Sequence, residues 1–256
     1  MASRGDKPTI VIVQGSFQTP LVYEPLAKAL ESRGFPTGHP QLPSCTNPDS
    51  PDFPKTTLAD DALAIRNHLT QLIETEHKYV AVAMQSYGGI AGSEAVPESL
   101  TYSTRDSQGL PGGVIHLFYY AAMLLEEGQS MLSAFGDSPL NKIEPDGRGY
   151  FLNAAEVIYN DPPEAEAQMW EERLLPAPYE IQKTKTTTAA WKHVESTYLI
   201  CENDQAVPVQ FQEMFAGMAK SRVVRCSAGH SPMLSQTSVL ADEIAEAAER
   251  AIEKLN

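Results

Sequence analysis

Ser86, Asp204 and His230 are the residues of this chain whose types and surroundings suit nucleophilic chemistry. A serine hydroxyl is a weak nucleophile at its free pKa. It needs a base beside it, a group that orients the base, and donors waiting for the oxyanion that its attack creates. Ser86 sits in Val82-Ala-Met-Gln-Ser86-Tyr-Gly-Gly89, where an apolar run meets two glycines. A strand, a tight turn and a helix start would project the hydroxyl, with Gly88 and Gly89 letting the helix backbone approach the strand. Asp204 follows one later apolar run, Ser196 to Cys201, and His230 follows the next, Arg222 to Cys226. Serine, acid, histidine is the chain order in which alternating strands and helices bring such a triad to one sheet edge.

Other groups fit less well. Glu126 and Glu127, after the run ending at Tyr120, are alternative acids. Asp204 is preferred because a short carboxylate beside a strand end orients an imidazole more closely than a longer one further along a loop. His39, His68 and His77 lie in polar surroundings that suit the surface, His116 lies inside an apolar run that suits the core, and His193 suits a turn. Asp161, in Tyr159-Asn-Asp161-Pro-Pro163, reads as helix-start chemistry. Cys45, Cys201 and Cys226 are far apart and show no Cys/His ligand spacing. No metal and no cofactor is expected.

The elements that must position the triad follow from periodicity. Thr9 to Val13 is a β-branched run that enters Gln14-Gly15-Ser16, and Tyr79 to Met84, Val114 to Tyr120, Ser196 to Cys201 and Arg222 to Cys226 are four more apolar strands. Val22, Leu26 and Leu30 recur at helical spacing before Gly34. Leu58, Ala62, Ile65, Leu69 and Leu72 mark a second helix, with Thr57 as its N-cap and Asp60 and Asp61 at the positive end of its dipole. Leu240, Ile244, Ala248 and Ile252 mark a last one. Six prolines between Pro36 and Pro54 make a long loop with room for one short strand. The alternation predicts an α/β fold: a mostly parallel central sheet with helices on both faces. Leu125 to His193 breaks the alternation and reads as an inserted helical cap, so the expected organisation is a core of residues 1–124 and 192–256 with a cap over 125–191.

Composition narrows the function. The 256 residues, 42% of them hydrophobic, suffice for one sizeable core. Nineteen Lys and Arg against 33 Asp and Glu give a net charge of −14, a field that repels nucleic-acid backbones and anionic membrane surfaces. The polar start, Met1 to Pro8, and the lack of a long apolar run predict a cytoplasmic chain with no signal peptide and no membrane span. Nothing in the pattern specifies an oligomeric state.

Val13-Gln-Gly-Ser16, Gln85-Ser-Tyr-Gly-Gly89, Cys201-Glu-Asn-Asp-Gln-Ala-Val-Pro208 and Ala228-Gly-His-Ser-Pro232 together resemble the α/β-hydrolase superfamily over nearly the whole chain. The resemblance is greatest to small esterases of the plant methylesterase and hydroxynitrile lyase type and their bacterial and fungal relatives. It implies Ser86 as nucleophile, His230 as general base then acid, Asp204 as the group orienting the imidazole, and the backbone N–H groups of Ser16 and Tyr87 as the oxyanion hole. Two positions depart from the family pattern. Gln14 stands where a histidine precedes the oxyanion loop, and Met84 stands where the G-x-S-x-G pattern has its first small residue. Gln14 can still bond the loop, whereas Met84 must find room behind the turn.

The expected activity is cofactor-free hydrolysis of a small or medium, largely apolar carboxylic ester or lactone. The alternatives are a lyase or C–C bond-cleaving enzyme using the same triad, and a receptor holding a small molecule in the pocket. Phe17, beside the oxyanion turn, and Trp170, in the cap, are candidate substrate contacts. Trp170, Met169, Leu174 and Leu175 equally suit a role in anchoring the cap.

Overall fold

The computed structural model describes residues 7–255. Six parallel strands form the main sheet: β1 (Thr9–Val13), β2 (Thr37–Gly38), β3 (Tyr79–Gln85), β4 (Gly113–Tyr120), β8 (Ser196–Cys201) and β9 (Arg222–Cys226), in the order β2-β1-β3-β4-β8-β9. β1, β4 and β8 are buried at every position, which is why their sequences read as continuous apolar runs rather than alternating ones. The edges are handled differently. β2 is two residues long, and β9 exposes Arg222 and Arg225, whose ion pairs with Glu246 and Glu213 discourage a further strand from adding there.

Helices cover both faces. On one side α2 (Leu58–Thr70), α3 (Gly88–Ala95) and α9 (Val209–Met218) close a core that contains Val11, Val13, Ile65, Val82 and Tyr87. On the other, α1 (Glu24–Ser32) and α11 (Thr237–Glu253) close one that contains Ile10, Ile12, Tyr23, Leu26 and Leu240. Thr57 caps α2 as its sequence predicts, in a reciprocal capping box with Asp60. Gly34 follows α1 with φ +84°, the left-handed conformation expected of a residue closing a helix. A short α4 (Tyr102–Ser107) precedes β4.

The segment between β4 and β8 is not only helical. Alongside α5 (Met131–Phe135), α6 (Ala154–Val157), α7 (Glu164–Glu171) and α8 (Glu180–Lys183) it holds an antiparallel sheet of β5 (Asn141–Ile143), β6 (Arg148–Phe151) and β7 (Ala177–Pro178). These strands are too short to show a period of two, and β7 ends in a proline, so the sequence does not announce them. Glu94 of α3, buried, ties the end of this segment down by accepting from the Thr187 and Thr188 backbone N–H groups at 2.7 and 2.9 Å.

Candidate active site

Ser86 occupies the turn between β3 and α3 and adopts φ +52°, a left-handed conformation that non-glycine residues rarely hold. The turn is tight because Gly88 lets α3 press on the end of β1. A Cβ there would lie 2.5 Å from the Val13 carbonyl oxygen and 2.6 Å from that of Gln14. The Ser86 side chain is partly exposed, whereas Gln85 and Tyr87 on either side of it are fully buried.

Met84 finds its room in the helix. A Cβ on Gly92, one turn into α3, would sit 2.5 Å from Met84 Sδ, so the methionine fills the volume that a side chain at 92 would need. Gln14 also braces the turn after β1, since its Nε2 donates to the Gln18 carbonyl. Phe17 in that turn has φ +67°, a second strained residue beside the first. Among the described residues no hydrogen bond takes up the backbone N–H of Ser16 or of Tyr87.

The structure brings Asp204 and His230 together. His230 Nδ1 lies 2.9 and 3.0 Å from the two Asp204 oxygens, and both residues are buried. Asp204 Oδ1 also accepts from the Ala206 and Val207 N–H groups at 2.8 and 2.9 Å, and Oδ2 from Gln212 Nε2 at 3.3 Å. A carboxylate so placed accepts a hydrogen bond from Nδ1–H and so leaves Nε2 as the unprotonated nitrogen. Glu126 and Glu127 pair instead with Lys192 at 3.0 and 3.2 Å.

His230 is tied to the serine turn through the neighbouring residue. Gln85 Nε2 donates to the His230 carbonyl at 3.0 Å, and Gln85 Oε1 receives the Tyr23 hydroxyl at 3.0 Å. The same hydroxyl accepts from the Gly15 N–H at 2.9 Å, which links the loop after β1, the serine turn and the histidine loop in one buried network. These partners lie 8 to 145 residues apart, and no local pattern reveals them.

Asp161 corrects the expectation of a helix start, because the residue at the N-cap of α7 is Pro163. Asp161 Oδ2 instead accepts from the Gly229 N–H at 2.7 Å and from Ser235, while Asn160 Nδ2 donates to the Asn203 carbonyl at 2.9 Å. The Asn160-Asp161 turn therefore holds the two loops that carry Asp204 and His230. His39 is also less exposed than its loop suggests: it packs edge-on against Tyr23, and burial holds its imidazole down at about 4. His116 is buried, with Nε2 3.0 Å from Thr197 Oγ1, and His193 caps a short turn at Lys192.

Phe17 packs edge-on against Phe151 at 5.6 Å, with Met123, Met131 and Leu174 also against this core. Trp170 lies in the opposite core cluster with Tyr159, its Nε1 3.4 Å from Glu166 and Arg173 over its ring. Among the described residues no group of three or more ligating side chains could hold a metal ion, and no helix is long and apolar enough to cross a membrane.

Asp60 and Asp61 both lie in the first turn of α2, as expected, and of the two only Asp60 serves the capping box. Asp61 is wholly buried, accepting from the Ser44 N–H at 2.9 Å and the Tyr87 hydroxyl at 2.8 Å, with no ion pair among the described residues. Burial pushes its carboxyl up from 3.8 to about 6, against the pull of the Ser44 and Tyr87 bonds. The other titratable groups facing it are Asp60 on the same helix and Cys45 and Tyr87 across from it. Folded protein thus holds this proton more tightly than the unfolded chain, so stability falls as pH rises from 3.8 through about 6. An Asp61→Asn variant cannot titrate there, so its thermal midpoint will gain on the wild type's between pH 4 and 7. A constant gap over that range would show that the carboxylate is not desolvated.

The family model of the α/β hydrolase family matches residues 10–243. The chain belongs to the α/β hydrolase family. It is 33% identical to the α/β hydrolase nvfD of Aspergillus novofumigatus over 96% of this chain and 99% of that one. Its fold resembles that of polyneuridine aldehyde esterase, with a TM-score of 0.74 and 16% identity, covering 94% of this chain and 98% of the other. It also resembles the methylesterase MES16 from Arabidopsis, with a TM-score of 0.72 and 17% identity over 95% and 99% of the two chains.

Proposed function

We propose that the protein is a serine hydrolase that cleaves a small or medium, largely apolar carboxylic ester or lactone through an acyl-enzyme. The observation that carries this reading is the Asp204 carboxylate on His230 Nδ1, in a histidine loop that Gln85 fastens to the turn bearing a strained, accessible Ser86. Relatives that are themselves named hydrolases and esterases support it.

Ser86 Oγ attacks the carbonyl carbon while His230 Nε2 takes its proton, and the oxyanion is received by the Ser16 and Tyr87 N–H groups. The C–O bond to the leaving alcohol then breaks, and the alcohol departs with the proton from His230. Water repeats the cycle on the acyl-enzyme, releasing the acid. The inserted segment serves as a cap, and the core that joins Phe17 with Phe151, Met123 and Leu174 offers apolar surroundings suited to a hydrocarbon acyl or alkyl group.

A fluorophosphonate probe followed by intact-mass and peptide mapping tests the nucleophile, and p-nitrophenyl esters of short and medium acids test the reaction. Labelling at Ser86 with ester turnover is the expected result. Labelling without turnover would redirect the reading to a lyase or a receptor, and folded protein that stays unlabelled at Ser86 would end it.

A further inference from the structure

Asp61 carries a cost that the fold does not require. A carboxylate that no water reaches, held by neutral donors only, is a poor way to join α2 to the sheet, and an apolar pair of the same volume would serve packing better. Its partners show what else it does. One oxygen receives the hydroxyl of Tyr87, the residue immediately after Ser86. The other receives the N–H of Ser44, which ties the short Pro43–Cys45 turn to α2. The Tyr87 donor is therefore anchored, through its own side chain, to a carboxylate that α2 holds in place.

The serine turn has a matching anchor on its other side. Gln85 and Tyr87 point into the opposite cores of the sheet, Gln85 bonding Tyr23 and Tyr87 bonding Asp61, so the strained Ser86 is gripped on both flanks. A left-handed serine persists only where its surroundings over-determine it. Gln85 also serves the histidine loop, but the Tyr87 hydroxyl reaches nothing except Asp61 among the described hydrogen bonds.

We propose that Asp61 is a positioning residue for the oxyanion site, fixing the Tyr87 donor through the tyrosine hydroxyl. The proposal rests on the reading of Ser86 as nucleophile and of Ser16 and Tyr87 as oxyanion donors. Donor misplacement weakens a bond made most strongly in the transition state, so its mark is a loss in kcat with KM kept.

The test uses Tyr87→Phe, which deletes only the hydroxyl, and Asp61→Leu, which keeps the volume and removes both acceptor oxygens, alone and combined. Each is assayed for p-nitrophenyl butyrate turnover and for the second-order rate of fluorophosphonate labelling at Ser86, whose P=O oxygen takes the oxyanion position. We expect each single variant to lose about tenfold in kcat and in labelling rate, a fraction of the loss on removing a donor outright. KM should stay within about twofold, and the double variant should be no worse than the poorer single one, since both break one contact. Labelling and kcat unchanged in folded Tyr87→Phe and Asp61→Leu would overturn the proposal while leaving the nucleophile in place. A wild-type protein that is not labelled at Ser86 would instead remove the reading on which it rests.

Discussion

Replacing Ser86 by alanine will lower p-nitrophenyl ester turnover by about 10⁴-fold or more and abolish phosphonate labelling, with the folded state intact. The expectation of an intact fold has a structural reason. The Ser86 hydroxyl supports no hydrogen bond among the described residues, and the turn is held by its neighbours and by its own carbonyl, which accepts from the Gly89 and Met123 N–H groups, each at 3.0 Å. Alanine and serine meet the same strain at φ +52°, so the exchange does not alter the turn. What vanishes is the atom that forms the acyl bond. Whatever rate survives is the contribution of binding and the oxyanion site to attack by water. Turnover above about a tenth of the wild-type value would exclude Ser86 as the nucleophile, and a loss of near-ultraviolet circular dichroism would mean that the serine had been structural.

Asp204→Asn should cost about 10⁴-fold in kcat, as removal of the orienting charge does in triads of this kind. Here the hydrogen bonds dictate how the asparagine must sit. Asp204 Oδ1 accepts two backbone N–H groups, from Ala206 and Val207, so the amide oxygen of the variant is pinned in that place. Its Nδ2 is then left opposite His230 Nδ1 and Gln212 Nε2, where Oδ2 had been an acceptor for both. One donor now faces the imidazole's former donor, and the oxygen that remains 3.0 Å from Nδ1 carries no charge. The tautomer with the hydrogen on Nε2 is thereby favoured, and in it His230 cannot take a proton from Ser86. Labelling should slow together with turnover, and the measurement is the ratio of the two rates to wild type. A variant within tenfold of the wild type in both would show that the carboxylate does not set the tautomer.

The parts of the site that repeat along the sequence were legible in it. The main strands are apolar runs, and Ser86, Asp204 and His230 each follow one of them, so their placement beyond the same ends of parallel strands follows from the alternation. What stayed hidden depends on pairings between distant residues. Tyr23, Gln85 and His230 form one network, but tyrosine and glutamine in apolar surroundings carry no mark of their partners. Asp60 and Asp61 look alike in sequence, and only the facing of α2 separates the cap from the buried carboxylate. Asp161 before two prolines has the composition of a helix start, yet the chain uses its carboxylate across 68 residues on the Gly229 N–H. The small sheet of β5, β6 and β7 was hidden because two to four residues cannot display a period.

Met84 and Gly92 share a single volume between strand and helix, and this has a consequence for how the chain can change over generations. A Cβ at 92 would come within 2.5 Å of Met84 Sδ, so the methionine must give way before that helix position can grow. Shrinkage at 84 while the glycine remains opens a void in a fully buried place, at a cost of about 2–5 kcal/mol by the usual toll for emptying a core site. A descendant that recovers the small residue common at the first position of this turn must therefore pass through the void before the helix can fill it. The methionine marks a branch that is easier to inherit than to leave.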